Sequence, residues 1–246
     1  MGADSTSSGG VGTLSFVRGD RRLWEHRTAE LCEKDEYKGA VTQLMALADL
    51  GIADLTFRYR TVREDKLAEA MAGRIARHLV LAMFSDLEHA PPAPVQLLHR
   101  VGSDTIPLDL AEESDGTRAF FGLLGPIVGA LKTGGIVCID ELDSSLHPLL
   151  AIQLIRLFSE SSRNPRGAQL IFNTHDTNLL SSGLRRDQIW FTEKNNDAST
   201  HLYPLSDFKP RRNENLESGY LQGRYGAIPF LNAEAFLHFE AADGKT

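Results

Sequence analysis

Residues 134–148, GGIVCIDELDSSLHP, constrain this chain more than any other stretch. Ile136 to Ile139 are four apolar residues in a row, opened by a glycine pair and closed by two acids, which is the pattern of a short, fully buried strand. Asp140 and Glu141 stand at its C-terminal end, where an open α/β sheet holds ligands in the crevice beyond its strands. Two adjacent carboxylates there can divide the work of nucleotide hydrolysis, one holding Mg²⁺ and the other polarising the attacking water. Adjacent acids also occur as ordinary solvated loop residues, so the neighbouring motifs decide the weight of this pair.

Two such neighbours lie within about sixty residues. Upstream, Glu113-Ser114-Asp115-Gly116-Thr117-Arg118 precedes a run of helical character, with Ser114 as N-cap of a helix from Gly116 to about Lys132. A helix N-terminus with Ser and Gly before it offers free N–H groups and a positive dipole end to a phosphate. Downstream, Gln169 to Thr174 form a second apolar strand that ends in His175-Asp176. If the two strands lie side by side, Asp140, Glu141 and His175 converge on one sheet edge.

In this order the three motifs resemble the signature loop, the Walker B strand with its D-loop (Asp143-Ser144-Ser145-Leu146-His147-Pro148), and the switch histidine of ABC-type ATPases. The branch is the one that includes DNA-repair and chromosome-condensation ATPases. The resemblance implies ATP and Mg²⁺ as ligands, Asp140 as metal ligand, Glu141 as general base and His175 as partner of the γ-phosphate. It also implies nucleotide contacts from Ser114, Asp115, Gly116, Asp143 and Ser145, the signature loop acting on ATP bound to a second subunit, and hence an ATP-dependent homodimer. Asp115 stands where the family usually has Gly, adding negative charge near the expected phosphate.

The resemblance covers residues 93–230, the C-terminal half of that fold. No GxxxxGK[ST] occurs in the sequence: Gly244-Lys245-Thr246 lacks both the leading glycine and a following helix. The expected fold class is therefore α/β, the C-terminal half of a P-loop NTPase of ABC type, a mostly parallel sheet flanked by helices with an N-terminal helical insertion. Residues 1–12 are Gly/Ser-rich and read as disordered, 13–92 as the helical insertion, and 93–246 as the ATPase lobe. Within 13–92, Arg21 to about Leu50 has helical spacing, Ile52 to Val62 reads as a strand and Lys66 to Glu88 as an amphipathic helix. Val95 to Val101 and Thr105 to Leu110 read as a β-hairpin, Leu149 to Ser159 as a helix, and Gln188–Thr192 and Thr200–Leu205 as two late strands.

The late segments RRDQIWFTEK, DFKPRR and YLQGRYGAIPF are similar to the C-terminal end of stand-alone ATPases of bacterial abortive-infection and restriction-linked defence systems. Arg185, Arg186, Lys209, Arg211, Arg212 and Arg224 make this the basic part of a chain whose formal charge is −7. They suit either nucleic acid, a partner effector protein, or plain salt bridging to the acidic surface. Two cysteines give no disulfide framework, no apolar run approaches the roughly 20 residues that span a bilayer, and no signal-peptide pattern opens the chain. The expectation is a cytoplasmic protein without membrane partners. Its function is ATP binding and hydrolysis once a phosphate-loop half completes it, the isolated chain being inactive. The alternative is a non-catalytic regulatory or interaction protein that keeps the ATPase sheet.

Overall fold

The computed structural model describes residues 14–18, 21–57, 95–195 and 197–229. The Gly/Ser-rich start, the helix expected over 66–88 and the Gly-Lys-Thr at 244–246 lie outside them. The chain forms two compact units, residues 1–176 and 177–246.

The first unit is built on a parallel sheet. Strands β1 (Leu14–Val17), β5 (Ile136–Ile139) and β6 (Gln169–Phe172) lie in the order β1-β5-β6. A second, antiparallel sheet joins β2 (Ile52–Phe57), β3 (Val95–Val101) and β4 (Asp104–Asp109). β3 and β4 are the expected hairpin, turned at Gly102-Ser103 with Gly102 at φ 62°. The expected helical insertion over 13–92 thus includes two strands that pair with later parts of the chain. β1 is only four residues long, too short for its alternation to stand out from the segment before it.

Helix α3 (Asp115–Thr133) packs across β1 and β5, while α4 (Pro148–Ser159) packs against β6. The helical run after Arg21 is broken into α1 (Arg21–Leu31) and α2 (Asp35–Leu47), and both pack on α3. Ser114 caps α3 by accepting a hydrogen bond from the Thr117 N–H at 3.2 Å, and Gly134 ends it in the left-handed region at φ 73°.

Pro126 lies inside α3 and has no N–H to give the Gly122 carbonyl four residues back. Thr28 of α1 makes good the loss. Its hydroxyl, fully buried, donates to the Gly122 carbonyl at 2.8 Å and accepts from the Gly125 N–H at 3.1 Å. This needs glycine at 125, where a Cβ would come within 2.3 Å of the Thr28 hydroxyl and 2.9 Å of its Cα. Beside it, Glu25, 2 % exposed, is held by Arg118 through a two-pronged pair at 3.0 and 3.1 Å, so that neither charge is left alone in the interface.

The parallel sheet is covered unequally. Val17, Val137 and Ile139 are buried on one face. On the other, Phe16, Cys138 and Ile171 form a row across the three strands, with Leu14 and Ile136 beside them. There Phe16 is 65 % and Ile171 56 % exposed, and Cys138 and Ile136 are half-buried. The strand read as fully buried therefore alternates, because its two faces are covered unequally.

The second unit holds the hairpin β7 (Trp190–Lys194) and β8 (Thr200–Pro204), followed by the short helix α5 (Leu216–Leu221). Phe191 stacks on Tyr220 and Tyr225 at centroid distances of 5.5 and 5.8 Å, with Leu205 and Ile189 completing a small core. Burial and the neighbouring Glu214 raise the Tyr225 hydroxyl above its usual pKa, and that hydroxyl donates to Glu214 at 2.6 Å. Several of the late basic residues bond within the unit: Arg185 pairs with Asp187, Arg224 with Glu214, and Arg186 donates to the Arg211 carbonyl.

Candidate functional site

β5 ends at Ile139 and so delivers Asp140 and Glu141 to the C-terminal edge of its sheet. Ile139 and Leu142 are pulled inside, leaving the two acids between them exposed. The Asp140 N–H is held by the Val17 carbonyl at 3.0 Å and the Leu142 N–H by the Asn173 carbonyl at 3.1 Å. Between these anchors Glu141 takes φ 55°, the left-handed region that a side chain adopts at a cost of about 1–2 kcal/mol. Non-glycine residues held in this way cluster at functional sites.

Both carboxylate oxygens of Asp140 are engaged. Oδ1 accepts from the Asn173 side-chain amide at 2.7 Å, and Oδ2 lies 3.3 Å from the Arg18 guanidinium. The Arg18 side chain is 84 % exposed, so this pair contributes about 0.2–1 kcal/mol and is readily displaced.

The loop after the acids ties four of the expected site residues in two pairs. Asp143 Oδ1 accepts from the His175 N–H at 3.3 Å, fixing the backbone of the strand-end histidine against the loop. Ser145, at φ 65°, turns its carbonyl toward Gly116, where a Cβ would stand 2.9 Å away. Gly116 is therefore glycine for close packing within the chain, whatever else its N–H does. His147 caps α4, its Nδ1 accepting from the Leu149 N–H at 3.2 Å.

Asp115 does not stand as a bare charge. Its carboxylate takes a hydrogen bond from Arg21 at 2.7 Å and its carbonyl a second at 3.0 Å. Ser114 spends its hydroxyl on the helix cap. The His175 ring is exposed and takes part in no hydrogen bond among the described residues. Asp140, Glu141, Ser144 and Ser145 line one side of a cavity of about 620 Å³, with Arg18, Arg21, Arg22 and Arg118 contributing cations to its wall.

Sequence reasoning missed Asn173 and these arginines. Asn173 carried a signal: it is the one side chain between Gln169 and Thr174 that suits a strand poorly, and so had another reason to be there. The arginines carried none, since Arg18 and Arg21 meet their partners only across about a hundred residues of chain.

Residues 22–181, more than half of the chain, match the family described as "AAA domain, putative AbiEii toxin, Type IV TA system". The chain belongs to this AAA-domain family. No curated protein matches it. Its parallel sheet flanked by helices accords with the P-loop NTPase-like fold of such AAA domains, which typically bind and hydrolyse ATP with Mg²⁺. No helix among the described residues is long and apolar enough to cross a membrane.

The residues of this AAA domain fit a nucleotide-borne Mg²⁺. Among the described residues, no cluster of three or more His, Cys, Asp or Glu could hold a metal alone. A Mg²⁺ that arrives on phosphates needs no such cage, because it keeps several waters and takes one or two carboxylates from the protein. Asp140 offers one hard oxygen, Oδ2, once Arg18 swings away.

Proposed function

We propose that this chain supplies the acid-bearing half of an ATP-hydrolysing site of ABC type, completed by a phosphate-gripping loop from outside these 246 residues. The observation that carries the reading is the pair Asp140 and Glu141, exposed side by side at the end of a central parallel strand, on the wall of an arginine-lined cavity.

In this reading Asp140 turns Oδ2 to the cation that accompanies ATP. Bound there, that ion would offset negative charge on the phosphates. Glu141 takes the proton of the attacking water while the new O–P bond forms and the bond to ADP breaks, giving ADP and phosphate. Asp143 holds the His175 backbone in place, leaving its exposed ring to donate to the γ-phosphate. Ser114 and Gly116, at the N-terminus of α3, face ATP bound to a second subunit, and Ser145 braces that loop. Arg21 offsets the charge of Asp115, which removes the objection that an acid there would repel phosphate.

The open apolar face with Phe16 and Ile171 supports the need for a completing half. Parallel sheets occur almost only with both faces covered, and on one face of this sheet Phe16 and Ile171 stay exposed. The family description supports a toxin–antitoxin or abortive-infection setting. A second reading, a regulatory protein without turnover, is favoured by the double engagement of Asp140.

Calorimetry tests the division of labour. Each charge-assisted bond to phosphate contributes about 1.5–3 kcal/mol, so a chain without the phosphate loop loses a thousandfold or more in affinity. The 246-residue chain should show no micromolar MgATP binding, and the chain joined to a phosphate-loop half should. Micromolar binding by the chain alone would contradict the proposal.

A further inference from the structure

Asn173 makes four bonds to four consecutive residues of the acid-bearing strand end. Its N–H donates to the Ile139 carbonyl at 3.3 Å and its carbonyl accepts from the Leu142 N–H at 3.1 Å, which continues the sheet. Its side chain does something the sheet does not require. The Nδ2 group donates to Asp140 Oδ1 at 2.7 Å, and Oδ1 accepts from the Glu141 N–H.

The orientation of this amide is fixed by chemistry, because a carboxylate can only accept and a backbone N–H can only donate. Only an amide of this length serves both partners at once. Serine is too short to span them, and aspartate would turn a carboxylate oxygen toward Asp140. The bond to the Glu141 N–H falls on the residue at φ 55°, and so sets the direction in which the Glu141 side chain leaves the backbone. The bond to Asp140 occupies Oδ1 and leaves the other oxygen, paired among the described residues with the exposed Arg18, as the one that can change partners.

We propose that Asn173 is a positioning residue that sets the two carboxylates relative to each other, fixing Glu141 through its backbone and Asp140 through one oxygen. The proposal rests on the reading of Asp140 and Glu141 as the hydrolytic pair. Residues that orient groups at a metal-nucleotide site typically matter by about 10–100-fold in activity without touching substrate.

The test uses Asn173→Ala and Asn173→Asp. In the full chain, amide hydrogen exchange followed residue by residue should show Glu141 exchanging at least about tenfold faster in Asn173→Ala. Leu142, bonded to the backbone of residue 173, should keep its protection. Asn173→Asp retains the acceptor and should restore protection at Glu141. In the chain joined to a phosphate-loop half, both variants should lower kcat by about 10–100-fold with the KM for ATP changed less than about threefold. Unchanged exchange at Glu141 in Asn173→Ala overturns the clamp. So does a normal kcat for that variant in an enzyme that Glu141→Gln inactivates, while a normal rate for Glu141→Gln itself overturns the underlying reading instead.

Discussion

Thr28→Val is the substitution on which simple burial accounting and the hydrogen-bond geometry disagree. Thr28 is fully buried, and valine has its shape with a methyl in place of the hydroxyl, so apolar burial alone predicts a small gain in stability. The structure predicts a loss. The Gly122 carbonyl, denied its helical donor by Pro126, would be left buried without a partner, at about 1–3 kcal/mol, and the Gly125 N–H would lose an acceptor as well. Pro126→Ala supplies the missing N–H four residues on, so Thr28→Val should cost at least about 1 kcal/mol less in that background. The assay is urea unfolding followed by Trp24 fluorescence with Trp190 replaced by Phe, since Trp24 sits buried in α1. Equal costs for Thr28→Val in the two backgrounds, or no cost at all, would refute the reasoning.

Burial pushes the Cys32 thiol up to about 12, with Lys38 pulling it partly back. A thiol harder to ionise in the fold than in the unfolded chain contributes stability that is present below about pH 9 and lost as pH rises toward 12. Urea midpoints at pH 8 and 10.5 should therefore fall further for the wild type than for Cys32→Ala, and parallel slopes would count against it. Phe16→Ser with Ile171→Ser, on the more exposed sheet face, should change the stability of the isolated chain by less than about 1 kcal/mol each while raising its solubility. In the completed protein the same pair should cost about 1.5–3 kcal/mol per side chain by urea unfolding, and equal effects in the two forms would contradict the covering-layer argument.

The sequence displayed what is local and strongly patterned. Ile136–Ile139 has the same bounds in both readings, and the Ser114 cap and the β3–β4 hairpin follow from residue types a few positions apart. The exposed placement of Asp140 and Glu141 at the end of β5 was legible because two acids close its apolar run. What escaped is non-local. β1 is four residues that gain their identity only by pairing with β5, more than a hundred positions later. The break between α1 and α2 has no proline or glycine to announce it, and α3 runs through Pro126 because Thr28, 98 positions earlier, satisfies the carbonyl that proline abandons. The roles of Asn173 and Arg21 likewise exist only once β6 lies beside β5 and α1 beside α3.

The central claim, that Glu141 is the base of an ATPase site shared between two chains, is tested most directly by Glu141→Gln in the chain joined to its phosphate-loop half. The substitution keeps size and hydrogen bonding and removes the base. Phosphate release should fall by about 10²–10⁴-fold while MgATP still binds, and gel filtration should show a dimer with MgATP and a monomer without it. Phosphate release at the unmutated rate would contradict the account.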